Sequence, residues 1–277
     1  MNWRAIGAII RKDLRAAFKS KAVVLPMIIV PLILVCLMPA TVTLAPQFLQ
    51  GAGVQISAED MSEMGELLAQ MPPALRAELA QYTTEQAITV LVLTYLFAPL
   101  YLIIPLMVSS VIAADSFAGE KERKTLEALL YSPTTDTELL IAKLGVAWLP
   151  AVAVGLGSFV IYGLIVNLTA WPLVGHLFFP NAVWLLLAFW VGPAVAGMGL
   201  GVTVLVSARV NTFQEAYQLG GMVVLPVIVL MIGQVSGLFY LHVGFVALLG
   251  LGLWLLDGAL LWLSARILRR NALLSSL

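Results

Sequence analysis

Few residues in this chain could perform covalent, acid–base or metal chemistry. Cysteine occurs once, at Cys36 inside an apolar run, so no intrachain disulfide can form and the residue reads as small core filling. The two histidines, His176 and His242, fall outside the apolar runs and read as interfacial side chains, not as metal ligands or proton relays. The dipeptide Gly-Lys is missing, which removes a Walker A phosphate loop. His-Glu-x-x-His, Gly-x-Ser-x-Gly and cysteine clusters are missing too, which argues against a metal site or an intramembrane hydrolase. No catalytic, cofactor-binding or metal-ligating residue is therefore assigned, and the chain is not expected to be an enzyme by itself. Its basic residues form no aromatic-interleaved patch, so nucleic acid is a poor partner.

Charge is equally scarce. Charged residues make up 11% of the sequence against 61% hydrophobic, and the mean hydropathy is +1.00. A soluble domain carries about a quarter charged residues. The composition requires an integral, multi-pass, all-α membrane protein, one domain over 1–277. Six apolar runs, 22–45, 87–114, 141–170, 182–208, 219–240 and 243–268, each exceed the roughly 20 residues that cross a bilayer.

The few cations are distributed unevenly. With both termini on the cytoplasmic side, that side receives Arg4, Arg11, Lys12, Arg15, Lys19, Lys21, Lys121, Arg123, Lys124, Lys143, Arg209, Arg266, Arg269 and Arg270, while the opposite side receives Arg76. The positive-inside rule favours this orientation and an even number of crossings. The plasma (inner) membrane of a prokaryote is the expected location.

Before the first span, residues 1–21 repeat Trp3, Ile6, Ile10, Leu14 and Phe18 at helical spacing, with cations on the other side. That pattern predicts an interfacial amphipathic helix contacting membrane lipids. Prolines at 26, 31 and 39 should disrupt the first span. Residues 46–86 form a polar, acidic insert that predicts a small helical cap on the extracytoplasmic side, with a second short helix after Pro72-Pro73. Gly197 and Gly201 in the fourth span suit close helix packing. Asp257 is the exceptional acid within a span, and it is either a polar contact in a translocation path or a structural hydrogen-bonding group.

Residues 115–140 are the long charged stretch, expected to be a water-exposed hairpin between the second and third spans. Glu120 with Lys124, and Arg123 with Glu127, have i,i+4 spacing on a short helix whose apolar stripe is Leu126, Leu129 and Leu130. Thr135 and Glu138 have the spacing of a capping box that starts the next helix.

The string Gly119-Glu120-Lys121-Glu122-Arg123, then Thr125-Leu126-Glu127, Ser132-Pro133, Glu138-Leu139-Leu140 and Lys143, resembles the cytoplasmic segment of type-2 ATP-binding-cassette (ABC) export permeases. Lys124 departs from it, standing where many members carry glycine. The resemblance implies the transmembrane subunit of an ATP-driven exporter, forming half of a translocation pathway with a second copy or a related permease. It also implies a coupling helix, Gly119–Arg123 with Thr125, Leu126, Glu127, Leu129 and Leu130, docking on a separate cytoplasmic nucleotide-binding subunit that holds ATP and Mg. An ATP-independent secondary transporter or channel is the alternative from another class, but such proteins usually show repeats and several buried charges. A nontransporting anchor for a cytoplasmic partner is a third reading.

Overall fold

Six helices in the structure are long and apolar enough to cross a membrane. This computed structural model describes residues 2–51, 62, 65, 68, 71–124, 135–236 and 239–267, and every described element is helical. Helix α1 covers Trp3–Ala17 and α2 crosses as Lys21–Leu44. A short α3, Pro73–Leu79, closes the insert. The remaining crossings are α4 (Thr84–Glu122), α5 (Asp136–Val174), α6 (Ala182–Ser207), α7 (Phe213–Val235) and α8 (Val243–Ile267). Among residues 46–70 the expected first helix of the insert lies largely outside the described residues.

Helices α4 and α6 form the buried centre, and the others pack around them. Leu25, Ile28 and Leu32 on α2, Ile232 and Val235 on α7, and Leu248 and Leu255 on α8 point outward. A helix apolar on its outer face as well as its inner one belongs in lipid.

Proline accounts for three of the local irregularities. Three segments with wide π-type turns, Leu32–Leu37, Val92–Leu96 and Leu187–Val191, stand two or three residues ahead of Pro39, Pro99 and Pro193. Proline lacks an N–H and its ring presses on the carbonyl four residues back, and the wider turn relieves both defects without breaking the helix. Around Pro99 the carbonyls find donors on other helices. Tyr162 Oη donates to Leu93 O at 2.6 Å, Trp184 Nε1 to Thr94 O at 2.5 Å, and Gln234 Nε2 to Tyr95 O at 2.7 Å. One irregular turn of α4 is thereby tied to α5, α6 and α7. Tyr162 and Trp184 also stack at 4.6 Å between ring centroids, within the main apolar core.

Several boundaries differ from expectation. Helix α5 continues to Val174, not 170, and ends where Gly175 adopts φ 75, with its N–H donating to Trp171 O at 2.9 Å. This is a left-handed C-terminal cap, a conformation glycine adopts without a Cβ clash. The connection that follows is folded onto Asn167, whose Nδ2 donates to Gly163 O and Phe179 O, both at 2.8 Å. Helix α7 begins at Phe213, because Thr212 caps it through the N–H of Glu215.

Helix α1 also departs from its predicted face. It packs along α5 with Ile6, Asp13 and Ala17 buried, whereas Trp3 and Phe18 are 68% and 51% exposed. Ile10 Cδ1 would stand 3.3 Å from a Cβ on Gly145, so the absent side chain there lets the two helices approach. The predicted apolar stripe is split between a protein-facing part and an outward-facing part.

Candidate coupling site at the charged end

The charged motif begins inside the bundle. Residues Asp115 to Glu120 are all buried, and Asp115–Gly119 forms a fourth π turn with no proline to explain it. The expectation of a water-exposed hairpin from residue 115 is therefore corrected: helix α4 carries the chain on to Glu122 before it turns. Charged side chains can be buried there because partners reach them, Lys143 from α5 and Arg123 from the end of α4 itself.

Lys143 supplies the central partner. It extends from the second turn of α5, is 2% exposed, and places Nζ 2.5 Å from Glu120 Oε2 and 2.6 Å from Ser116 O. The ammonium also lies 5.1 Å from the centre of the Phe117 ring. Among the described residues, the ion pair of Glu120 is thus with Lys143 and not with Lys124. The local i,i+4 pairing gives way to one that joins two spans.

Arg123 folds back in the same manner. Its Nη1 lies 3.0 Å from Asp115 Oδ1 and its Nη2 donates to Asp115 O at 3.3 Å. Gly119 lies beneath this pair, where a Cβ would stand 3.0 Å from Asp115 Oδ1 and 3.3 Å from Arg123 Nη2. The small residue keeps the carboxylate and guanidinium together across the π turn.

Two further motif residues reach the start of α7. Lys121 Nζ donates to Val210 O at 3.1 Å, and the N–H of Phe213 donates to Glu122 Oε2 at 2.8 Å. An acid accepting from the first N–H of a helix suits the positive end of its dipole. On the other flank, the predicted capping box is present: Thr135 Oγ1 accepts from Glu138 N–H, and Glu138 Oε2 accepts from Thr135 N–H. Glu138 Oε1 also accepts from Asn2 N–H at 2.6 Å, which fixes the start of α1 to the start of α5. Asp13 of α1 joins Asp115, Glu120 and Glu138 as a fourth buried acid at this end, with Lys12 Nζ 3.5 Å from it.

The motif thus brings α4, α5 and α7 together through Glu120, Lys121 and Glu122, and Glu138 ties the start of α1 to that of α5. Thr125, Leu126, Glu127, Leu129 and Leu130 lie outside the described residues, as does the predicted helix through them. The described helix ends at Glu122, with Arg123 as its C-cap. Lys124 follows with φ 55, a left-handed backbone that favours glycine. The one departure from the family string therefore stands where glycine has a backbone reason to occur. Reading the sequence missed Asp115, Asn2 and the α7 N-terminus as partners, since each contact joins elements that are distant along the chain or cross an irregular turn.

Asp257, Gly197 and Gly201 form a separate contact between α6 and α8. A Cβ on Gly197 would collide with the Asp257 carboxylate, and one on Gly201 would stand 2.9 Å from Leu260 Cβ. Asp257 is 2% exposed, and neither carboxylate oxygen has a hydrogen-bond partner among the described residues. Among those residues no group of three or more His, Cys, Asp or Glu side chains could hold a metal ion.

No curated protein and no solved structure matches the chain significantly. A family model described as ABC-2 family transporter protein matches residues 7–268, nearly the whole length that builds the six spans and the charged end. The chain is a multi-pass membrane protein and belongs to the ABC-2 family of transporter proteins.

Proposed function

We infer that this chain is the membrane-spanning permease subunit of an ATP-driven exporter, with ATP and Mg held by a separate cytoplasmic nucleotide-binding subunit. Two such chains, identical or related, would complete the pathway. The observation that carries the reading is the bracing of the motif: Glu120 is fixed to α5 by Lys143, and Lys121 and Glu122 are fixed to the start of α7. A force applied to the turn after Glu122 would reach three crossings through short polar contacts without first bending a loop. Helix α5 provides a continuous lever of 39 residues, about 58 Å at the helical rise per residue. That exceeds the roughly 30 Å hydrocarbon core and is long enough for its charged end to stand clear of the bilayer.

The charge asymmetry orients this end toward the cytoplasm, where the motor would be. Leu126 supplies the apolar docking contact and the braced acids and bases transmit its motion. Replacing Leu126 with Asp is expected to abolish copurification with the nucleotide-binding subunit while membrane insertion stays intact. Unchanged copurification, or labelling of Lys121 from outside the cell, would overturn the reading.

A further inference from the structure

A second polar site lies at the opposite end of α4, where α3 of the insert meets the bundle. Glu78 on α3 accepts hydrogen bonds at Oε2 from the hydroxyls of Tyr95 on α4 and Tyr240 in the connection before α8, the latter at 3.1 Å. The Tyr95 and Tyr240 rings lie 5.1 Å apart. Burial pushes the Tyr240 hydroxyl up to about 12, so it keeps its proton and remains a donor. The two tyrosines fix the carboxylate in place through one oxygen. Its other oxygen, Oε1, takes no hydrogen bond among the described residues, and no cation pairs with Glu78 among them.

Beside this carboxylate is a cavity of about 190 Å³ whose lining includes Glu78, Tyr82, Thr94, Tyr95, Phe178 and Asn181. Thr94 is 2% exposed and its hydroxyl is unpartnered among the described residues. An unpaired buried hydroxyl beside a fixed carboxylate is costly unless a polar group completes it. No Lys or Arg is among the described lining residues, which disfavours an anion. A divalent metal is disfavoured as well, because hard cations recruit several oxygen ligands and this cavity supplies one carboxylate. What distinguishes the lining is its aromatic walls around a single negative charge.

We propose that this cavity binds an organic ammonium group, with Glu78 as its counter-ion and Tyr82, Tyr95 and Phe178 as its aromatic walls. Aromatic faces attract alkylated ammonium groups because the ring quadrupole is negative above the plane, and an adjacent carboxylate adds full charge. The group could belong to a free amine or to an ethanolamine lipid headgroup, since the cavity lies at the end of the spans. Because Glu78 joins α3 to α4 and to the α7–α8 connection, occupancy would hold the insert helix down on the bundle. The proposal is independent of coupling to ATP.

The test uses the full chain in detergent, titrated with tetramethylammonium chloride and, separately, sodium chloride at equal ionic strength. Saturable heat of binding and a rise in unfolding temperature are expected for tetramethylammonium alone. Glu78→Gln, which retains an acceptor for both tyrosines, should weaken binding about tenfold or more, and Tyr82→Leu about threefold. Equal responses to the two salts, or undiminished binding in Glu78→Gln, would refute the site. Should Glu78→Gln fail to fold, unchanged binding in Tyr82→Leu refutes it in turn. Reconstitution with phosphatidylglycerol alone or with added phosphatidylethanolamine identifies the source: retention of the latter that depends on Glu78 assigns a lipid, and tetramethylammonium binding without such retention assigns a free amine.

Discussion

Lys143 and Glu120 lie 23 residues apart in the chain, yet their Nζ and Oε2 atoms are 2.5 Å apart in a site from which solvent is nearly excluded. The pair joins the end of α4 to the second turn of α5. Its value is positional as well as energetic, because a buried ion pair must recover the hydration that both charges lose.

Removing one member breaks the ion pair while the other charge stays buried. Lys143→Met is expected to destabilise the protein by about 3–5 kcal/mol, whereas the double variant with Glu120→Gln should recover more than half of that loss. Thermal unfolding in detergent across the four-member cycle measures the coupling. Additive losses would show that the contact has no energetic role.

Lys124 tests a backbone effect. Its φ of 55 places a side-chain-bearing residue in the left-handed region, where the Cβ costs about 1–2 kcal/mol. Lys124→Gly should relieve part of this and stabilise by about 0.5–1 kcal/mol after the entropy of the unfolded glycine is deducted. Lys124→Val should do the reverse. A loss of unfolding temperature in the glycine variant would contradict the assignment.

The range of each signal along the chain explains why part of the fold was legible in the sequence and part was not. Six spans followed from run length and hydropathy, and the Thr135–Glu138 capping box from three-residue spacing, since both signals are local. The buried start of the charged segment was not legible, because Asp115 and Glu120 look like solvent-facing residues until Arg123 and Lys143 are placed beside them. Lys124 offered Glu120 a nearer partner in sequence than Lys143, so helical periodicity pointed to the wrong pair. Residues 213–218 likewise fall ahead of the predicted fifth span, 219–240, and only the Thr212 cap and the Glu122 contact show them to be the first turns of α7. The donors Tyr162, Trp184 and Gln234, which serve the carbonyls of Leu93, Thr94 and Tyr95, carry no sequence signal beyond Pro99 itself.

Gln234 provides a direct measure of one such donor. Pro99 cannot offer an N–H to the Tyr95 carbonyl, and Gln234 Nε2 occupies that acceptor instead. Gln234→Leu should leave a buried carbonyl unpaired and cost about 1–3 kcal/mol, measured by thermal unfolding. Combining it with Pro99→Ala, which restores an N–H at that position, should reduce the cost.

Asp257 makes the opposite prediction for stability. Its carboxylate is buried against Gly197 without a hydrogen-bond partner among the described residues. Asp257→Asn removes the acid at nearly constant size and should raise the unfolding temperature, because a buried carboxyl without a partner must either hold an unpaired charge or take up a proton, and an amide does neither. Gly197→Ala should lower it in the native background, where the new methyl meets the carboxylate, and lower it much less when Asp257 is replaced by Gly. Equal effects of Gly197→Ala in both backgrounds would show that the two residues do not limit the approach of α6 and α8.

Glu122 separates docking from transmission. Its Oε2 accepts from the first N–H of α7, a contact internal to the chain, so a partner subunit need not be present for the residue to act. Glu122→Ala should lose about 0.5–2 kcal/mol of helix capping, while Glu122→Gln retains a neutral acceptor and loses less. If the motif transmits motion from a docked ATPase into α7, Glu122→Ala will copurify normally with the nucleotide-binding subunit but stimulate its ATP hydrolysis less, and Glu122→Gln will restore most of the stimulation. Loss of copurification in both variants would place Glu122 at the docking surface instead. Normal binding and normal stimulation in Glu122→Ala would show that force reaches the bundle by another route, leaving the Lys143 contact with α5 as the path to examine.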